Sequence, residues 1–257
     1  MAKESIKLAG QSGLAIAASV EGASDGMPVI LAHGGGQTHR AWKRVSTLLA
    51  SHGFHAIALD LRGHGNSEWA KDGAYDIADF AGDLIAIAAR LERKPALIGA
   101  SLGGLAGIMA EGHLAPGSFA SLTLVDITPQ MEATGVARVV GFMAAHAQDG
   151  FACPDEAAQV ISEYLPHRPS RKASSGLANY LHKKSDGRFY WHWDPAFLSD
   201  KSRSGRRDPV ALGDSARGLR VPTLLVRGRM SDMVSPESAE VFLQQCPHAE
   251  FRDIAGA

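Results

Sequence analysis

The residues with the clearest chemical potential lie in Gly99-Ala100-Ser101-Leu102-Gly103, a G-x-S-x-G pentapeptide. The pattern alone is weak, because small residues are common in this chain. Its setting is more specific: the apolar run Ala96-Leu97-Ile98 enters it directly, and a run of small residues from Leu102 to Glu111 leaves it as a helix. A sharp strand-to-helix turn holds its serine in a strained backbone and needs glycine on either side for close approach. It also presents the hydroxyl at a helix N-terminus, where developing negative charge is favoured. Ser101 is therefore the candidate nucleophile; an idle serine in a glycine-lined turn is the competing reading. Acyl transfer also requires preplaced N–H groups for the carbonyl oxygen as it gains charge. The backbone amide of Leu102 is one candidate. The other is Gly35, or else Gly36, in His33-Gly34-Gly35-Gly36, where glycine lets the backbone approach a ligand. A supporting acid is expected after a late strand. Asp232 lies a few residues past Thr223–Val226, in a turn that Pro236 closes, and Asp126, at the end of the preceding strand, competes with it. Either could instead be a turn or capping carboxylate.

These residues need a scaffold that brings strand ends together. At 257 residues and 45% hydrophobic content, the chain suits one domain with an insertion better than two equal domains. Residues 5–21 read as a hairpin around Gln11-Ser12-Gly13. Pro28–Ala32 is a continuous apolar run, as expected of a parallel strand covered on both faces, and further strands follow at His55–Leu59, Ala96–Ile98, Leu122–Val125 and Thr223–Val226. Between them lie helical patterns, through Trp42–Leu49 and from Ile77 to Leu91. This alternation predicts an α/β fold with a mostly parallel, doubly wound sheet, in which ligands bind at the carboxyl ends of the strands. The rhythm breaks between Thr128 and Pro222. That stretch holds helical pieces (Gly135–His146, Pro154–Leu165), an aromatic run Phe189–Trp193 and a basic segment Lys201–Arg207. Because it leaves from a strand's carboxyl end, it is expected to form a helical cap at 128–208, between core segments 1–127 and 209–257. A peripheral helical subdomain is the alternative. Trp191, Trp193 and Phe197 would line an apolar pocket or simply pack as core.

Composition removes other classes. Lys and Arg number 26 against 27 Asp and Glu, a net charge of −1, so there is no electrostatic footprint for nucleic acid. Neither G-x-x-x-x-G-K-[ST] nor G-x-G-x-x-G occurs at these glycines, which argues against nucleotide binding. No metal ligand spacing and no cofactor are indicated. Met1-Ala2-Lys3-Glu4-Ser5 has no apolar stretch behind it, no run is long enough to span a membrane, and the two cysteines, Cys153 and Cys246, suit a reducing compartment. The expectation is a cytoplasmic protein acting on a small-molecule ester or acyl substrate, with no nucleic-acid or membrane partner and its oligomeric state left open.

The motifs together resemble the α/β-hydrolase superfamily, specifically its cap-bearing esterase, perhydrolase and epoxide-hydrolase-like branch. The matching residues are His33-Gly34-Gly35 with Trp42, Asp60-x-Arg62-Gly63-x-Gly65-x-Ser67, Gly99-x-Ser101-x-Gly103-Gly104, and Gly228 with Asp232. They cover nearly the whole chain outside the cap. The resemblance implies a serine hydrolase without metal or cofactor: Ser101 attacks, Asp232 orients the base, and Gly35 and Leu102 bind the oxyanion. In that family His33 and the Arg62–Ser67 turn shape loops. Epoxide hydrolases and haloalkane dehalogenases carry aspartate at the elbow, so Ser101 argues against both. The family's catalytic histidine follows the last strand, usually as Gly-His. Here Glu250–Ile254 is followed by Ala255-Gly256-Ala257, and none of the eleven histidines present has a sequence argument for reaching Ser101. The expectation is a truncated chain that hydrolyses p-nitrophenyl acetate little above background, while a form extended past Ala257 is active. A perhydrolase or acyltransferase using the same residues, and a non-catalytic ligand-binding protein on the same fold, are the alternatives.

Overall fold

The computed structural model describes residues 4–164, 181–199 and 208–256. Glu4–Ala9 (β1) and Ala15–Glu21 (β2) form the expected antiparallel hairpin. Then come β3 (Met27–Ala32), α1 (Lys43–Ser51), β4 (Phe54–Leu59), α2 (Ile77–Ala88), β5 (Ala96–Ala100), α3 (Leu102–Met109) and β6 (Ser121–Val125). An inserted stretch carries α4 (Ala133–Ala144), α5 (Pro154–Tyr164) and a small antiparallel pair, β7 (Leu181–Lys183) with β8 (Phe189–Trp191). The alternation resumes with α6 (Pro209–Gly218), β9 (Thr223–Gly228), α7 (Pro236–Gln245) and β10 (Glu250–Ile254).

Eight strands make one sheet in the order β1-β2-β4-β3-β5-β6-β9-β10. β2 pairs antiparallel with β4, and from β4 to β10 every neighbour is parallel. The strands alternate between two cores, as a sheet buried on both sides must. Ile30 and Ala32 of β3 pack with α2 and α3 residues such as Phe80, Leu84 and Leu105. Val29 and Leu31 pack with Trp42, Val45 and Leu49 beside α1. On the α1 side Ile98, Ala100 and Val125 are only half-buried. Helix starts follow their sequence signals. Asp76 and Asp79 form a reciprocal capping box on α2, and Ser235 caps α7 by accepting the Ser238 N–H, with Pro236 at the first helical position.

Some boundaries differ from expectation. The helix leaving the elbow is regular only to Met109 and continues as a π-helical turn, Ala110–Leu114; there the buried Glu111 carboxylate accepts the Gly117 and Phe119 N–H groups. α4 starts and stops two residues earlier than its apolar pattern suggested, and His146 beyond it adopts φ 58°. Leu165, His167 and the basic segment Lys201–Arg207 lie outside the described residues. The aromatic run is core: the Trp191 and Trp193 rings stack at 4.7 Å, Phe151 meets Trp191 edge-on, and all three are buried. Cys153 is exposed and Cys246 buried. Among the described residues no helix is long and apolar enough to cross a membrane.

Candidate active site

Sheet register sets the neighbours of Ser101. Ala32 pairs with Gly99 and Ala100 with Val125, so the end of β5 has the His33–Gly36 loop on one side and Asp126 on the other. Ser101 itself sits at φ 45°, ψ −114°, a conformation that non-glycine residues avoid and that persists only where its surroundings enforce it. The enforcement is visible. The Ser101 N–H donates to the Val125 carbonyl at 3.3 Å, and the Ser101 carbonyl accepts the Leu105 N–H at 3.0 Å as α3 begins. The Gly103 N–H donates to the His33 carbonyl at 3.1 Å, joining the elbow to the glycine loop. Glycine is required here by contact. A methyl group at Gly99 would lie 2.6 Å from the Gly103 backbone, and one at Gly103 would overlap the Ala32 carbonyl.

Leu102 is the first residue of α3, so its N–H has no partner within the helix. Of the two loop candidates, Gly36 is engaged: its N–H donates to His64 Nε2 at 3.1 Å. Gly34 lies against Ser101, where an added Cβ would be 3.2 Å from Ser101 Cβ. Gly35 faces the insertion, and an added Cβ would stand 3.6 Å from Met143 Sδ on α4 and from the Phe197 ring.

The two acids differ sharply. Asp126, at φ 52°, directs its carboxylate to the β9 side, where Oδ1 accepts the Gly228 N–H at 3.1 Å and Oδ2 accepts the Ser231 hydroxyl at 2.8 Å. Ser231 is fixed in turn by the Met233 and Val234 N–H groups, each at 3.1 Å from its Oγ. Asp232, the residue favoured by sequence, is exposed and pairs with Arg138 of α4 at 2.7 Å. Register sets Asp126 at the end of the strand next to that of Ser101, and Asp232, in the loop after β9, is paired with α4 of the insertion. Ser231 escaped the sequence reading. Its signal was a serine placed to close a turn directly before an acidic residue.

Below the glycine loop lies a group of buried imidazoles; His33 and the His64 turn were expected to shape loops, while nothing in the sequence signalled that His192 joins them. His33 Nε2 accepts the Leu61 N–H at 2.9 Å, so Nδ1 carries the proton and donates to the Gly34 carbonyl at 2.7 Å. His64 repeats the pattern, Nε2 accepting from Gly36 and Nδ1 donating to the Arg62 carbonyl at 2.9 Å. His192, from the insertion, accepts the Gly65 N–H on Nδ1 at 3.0 Å. Burial lowers His33 and His192 to about 4 and pushes His64 well below 6.5, and the rings' proximity adds to the effect for His64 and His192. Nearby Asp60 is held at about 2: burial opposes its charge, but the His39 ring and the His39 and Asn66 amides more than offset that. With both ring nitrogens on backbone groups, His33 and His64 cannot take a proton from Ser101. His248 is remote, bonded to the Val221 carbonyl before the start of β9. Among the described residues no His, Cys, Asp and Glu group is arranged to hold a metal ion.

The neutral histidines imply an acid sensitivity. Between about pH 6.5 and 4 the unfolded chain protonates rings that the folded chain keeps neutral. The unfolded state then binds more protons, so stability is complete above that window and falls as pH drops through it. The loss is at most about 1.4 kcal/mol per pH unit for each ring. The urea midpoint should be clearly lower at about pH 5 than at about pH 7.5; equal midpoints would contradict neutral burial.

A profile of the α/β-hydrolase fold family matches residues 27–257. An esterase of Mycobacterium tuberculosis is 30% identical over 233 residues, 88% of this chain and 73% of that protein. A pimeloyl-[acyl-carrier protein] methyl ester esterase of Aeromonas hydrophila is 29% identical over 252 residues, 91% of this chain and 92% of its own length. The crystal structure of E-2-(acetamidomethylene)succinate hydrolase is similar in fold, with a TM-score of 0.86 at 22% identity, covering 100% of this chain and 92% of that one. The matched span runs from β3 to the end of the chain and takes in the elbow, the glycine loop and both acids. The chain belongs to the α/β-hydrolase fold family.

Proposed function

We infer that this protein is a serine hydrolase that cleaves a carboxylic ester or related acyl bond through an acyl-enzyme. The observation that carries the reading is the Ser101 backbone at φ 45°, ψ −114°, bonded through Gly103 to the glycine loop. In the proposed reaction Ser101 Oγ attacks the carbonyl carbon as its proton passes to a general base other than His33 and His64, the oxygen that gains charge is met by the Leu102 and Gly35 N–H groups, and the alcohol leaves with the proton that the base returns. Gly35 is preferred to Gly36 because the Gly36 amide is already bonded to His64. The acid that orients the general base is Asp126 in this proposal. Its two oxygens are aimed by Gly228 and Ser231, whereas Asp232 is spent on an exposed ion pair. Water, giving a proton to the same base, then attacks the acyl carbon, and the carboxylic acid leaves as Ser101 regains its proton. The insertion acts as a cap whose Met143 and Phe197 lie over Gly35, an apolar lid that would strengthen the oxyanion contacts by excluding water. Relatives named as esterases and hydrolases support a hydrolytic enzyme.

A fluorophosphonate probe tests this directly. In the full-length protein it is expected to add to one serine, with the adduct mass on the peptide that contains Ser101. Labelling elsewhere, or none at all, would instead favour a non-catalytic binding protein on the same fold.

A further inference from the structure

The glycine loop is steered by a residue that does not touch the site. Gly36 adopts φ 74°, and its N–H is committed to His64 Nε2 at 3.1 Å. The opposite edge of the same ring donates to the Arg62 carbonyl at 2.9 Å, so the imidazole spans the gap between the glycine loop and the turn after β4. The ring is fully buried, with Phe197 of the insertion packed edge-on at 4.9 Å. An imidazole suits this place because it offers an acceptor at one end and a donor at the other within a rigid plane.

We propose that His64 is a positioning residue for the oxyanion site: by accepting the Gly36 N–H it fixes the peptide that follows Gly35 and keeps the Gly35 N–H aimed at the substrate oxygen. This rests on the serine hydrolase reading above. Its effect belongs to the transition state, because the oxygen carries its charge only there. Loss of the bond should therefore lower kcat and leave KM in place. The role also requires a neutral ring, since a protonated one would set N–H against N–H at Gly36. The groups facing His64 are the His33 ring at 5.3 Å, the His192 ring at 6.1 Å, the Asp60 carboxylate and the Arg62 backbone. Burial and the two neighbouring rings oppose protonation more than Asp60 favours it, so the acceptor persists through mildly acidic pH.

The test uses the full-length protein with p-nitrophenyl acetate and its thiono analogue, whose sulfur is a poor acceptor for oxyanion donors. His64→Leu removes the acceptor and is expected to lower kcat about 10²-fold with KM within about twofold. It should also erase most of the preference for the oxygen ester. His64→Gln restores an acceptor without the ring's shape, and should raise kcat about tenfold over the leucine variant while staying about tenfold below the original. Parallel losses in kcat and KM with the oxygen-ester preference intact would reveal a merely structural role and overturn the proposal. If the leucine variant does not fold, the glutamine variant decides: unchanged kcat, or an effect on KM alone, overturns it. Failure of the hydrolase reading itself would appear separately, as unmodified Ser101 in the fluorophosphonate experiment on the unsubstituted protein.

Discussion

Ser101→Ala in the full-length protein is expected to reduce kcat for ester hydrolysis about 10⁴–10⁶-fold, and Asp126→Asn about 10⁴-fold, while Asp232→Asn stays within about fivefold of the original. Loss of the nucleophile leaves only binding and oxyanion contacts. Asparagine at 126 still fits between Gly228 and Ser231, but it removes the charge that would hold the base's imidazole in its working tautomer. Asp232 is different because its partner Arg138 is itself more than half exposed, and such pairs contribute about 1 kcal/mol or less. Steady-state kinetics on the three variants separates the acids cleanly. A large loss at Asp232 with near-normal rates at Asp126 would return the role to the residue that the sequence favoured.

The second large effect is on folding. Gly103→Ala places a methyl group into the Ala32 carbonyl on β3, a neighbour that is backbone and cannot turn aside. The same change strains the bond from the Gly103 N–H to the His33 carbonyl. Overpacking against a flexible side chain costs about 1–3 kcal/mol, and a clash with a central strand should exceed that. Since whole domains are stable by only about 5–15 kcal/mol, the variant is expected to be poorly folded or to lose a large part of its urea midpoint. Gly141→Ala is the matched control. It lies on α4 with nothing within 4 Å of the added Cβ, and there alanine should stabilise by up to about 1 kcal/mol. An unchanged midpoint for Gly103→Ala would mean that the elbow tolerates movement of β3 against α3, and the tight-turn account of Ser101 would fall with it.

Much of the architecture could be read from the chain because the signals were local and redundant. Val29 to Ala32 is apolar on both faces, as a doubly covered parallel strand requires. The elbow was legible because strand, glycines and helix are contiguous around Ser101. What stayed hidden depends on atoms far apart in sequence. The proposed preference for Gly35 over Gly36 turns on a ring 28 residues away. The proposed preference for Asp126 over Asp232 turns on a serine hydroxyl 105 residues from the carboxylate that it meets. Trp191 and Trp193 could have been wall or core, and only their stacking against each other decides for core. The boundary shifts at α3 and α4 have a similar origin, since helix ends answer to side chains such as Glu111 that bond across the fold.

The arrangement around Asp126 has a consequence for how this fold can change. Among the described residues, the groups that aim its carboxylate, the Gly228 N–H and the Ser231 hydroxyl, belong to β9 and the loop leaving it, and none comes from the inserted stretch. Met143 and Phe197, the groups that would first greet an incoming molecule, come wholly from that stretch. In the proposed mechanism, the acid that orients the base and the groups that first meet substrate thus reside in separate pieces of polypeptide. Mutational drift or outright exchange of the outer piece could retune which molecules are accepted without touching the carboxylate, whereas a change at Phe197 would carry through to Gly35 and His64.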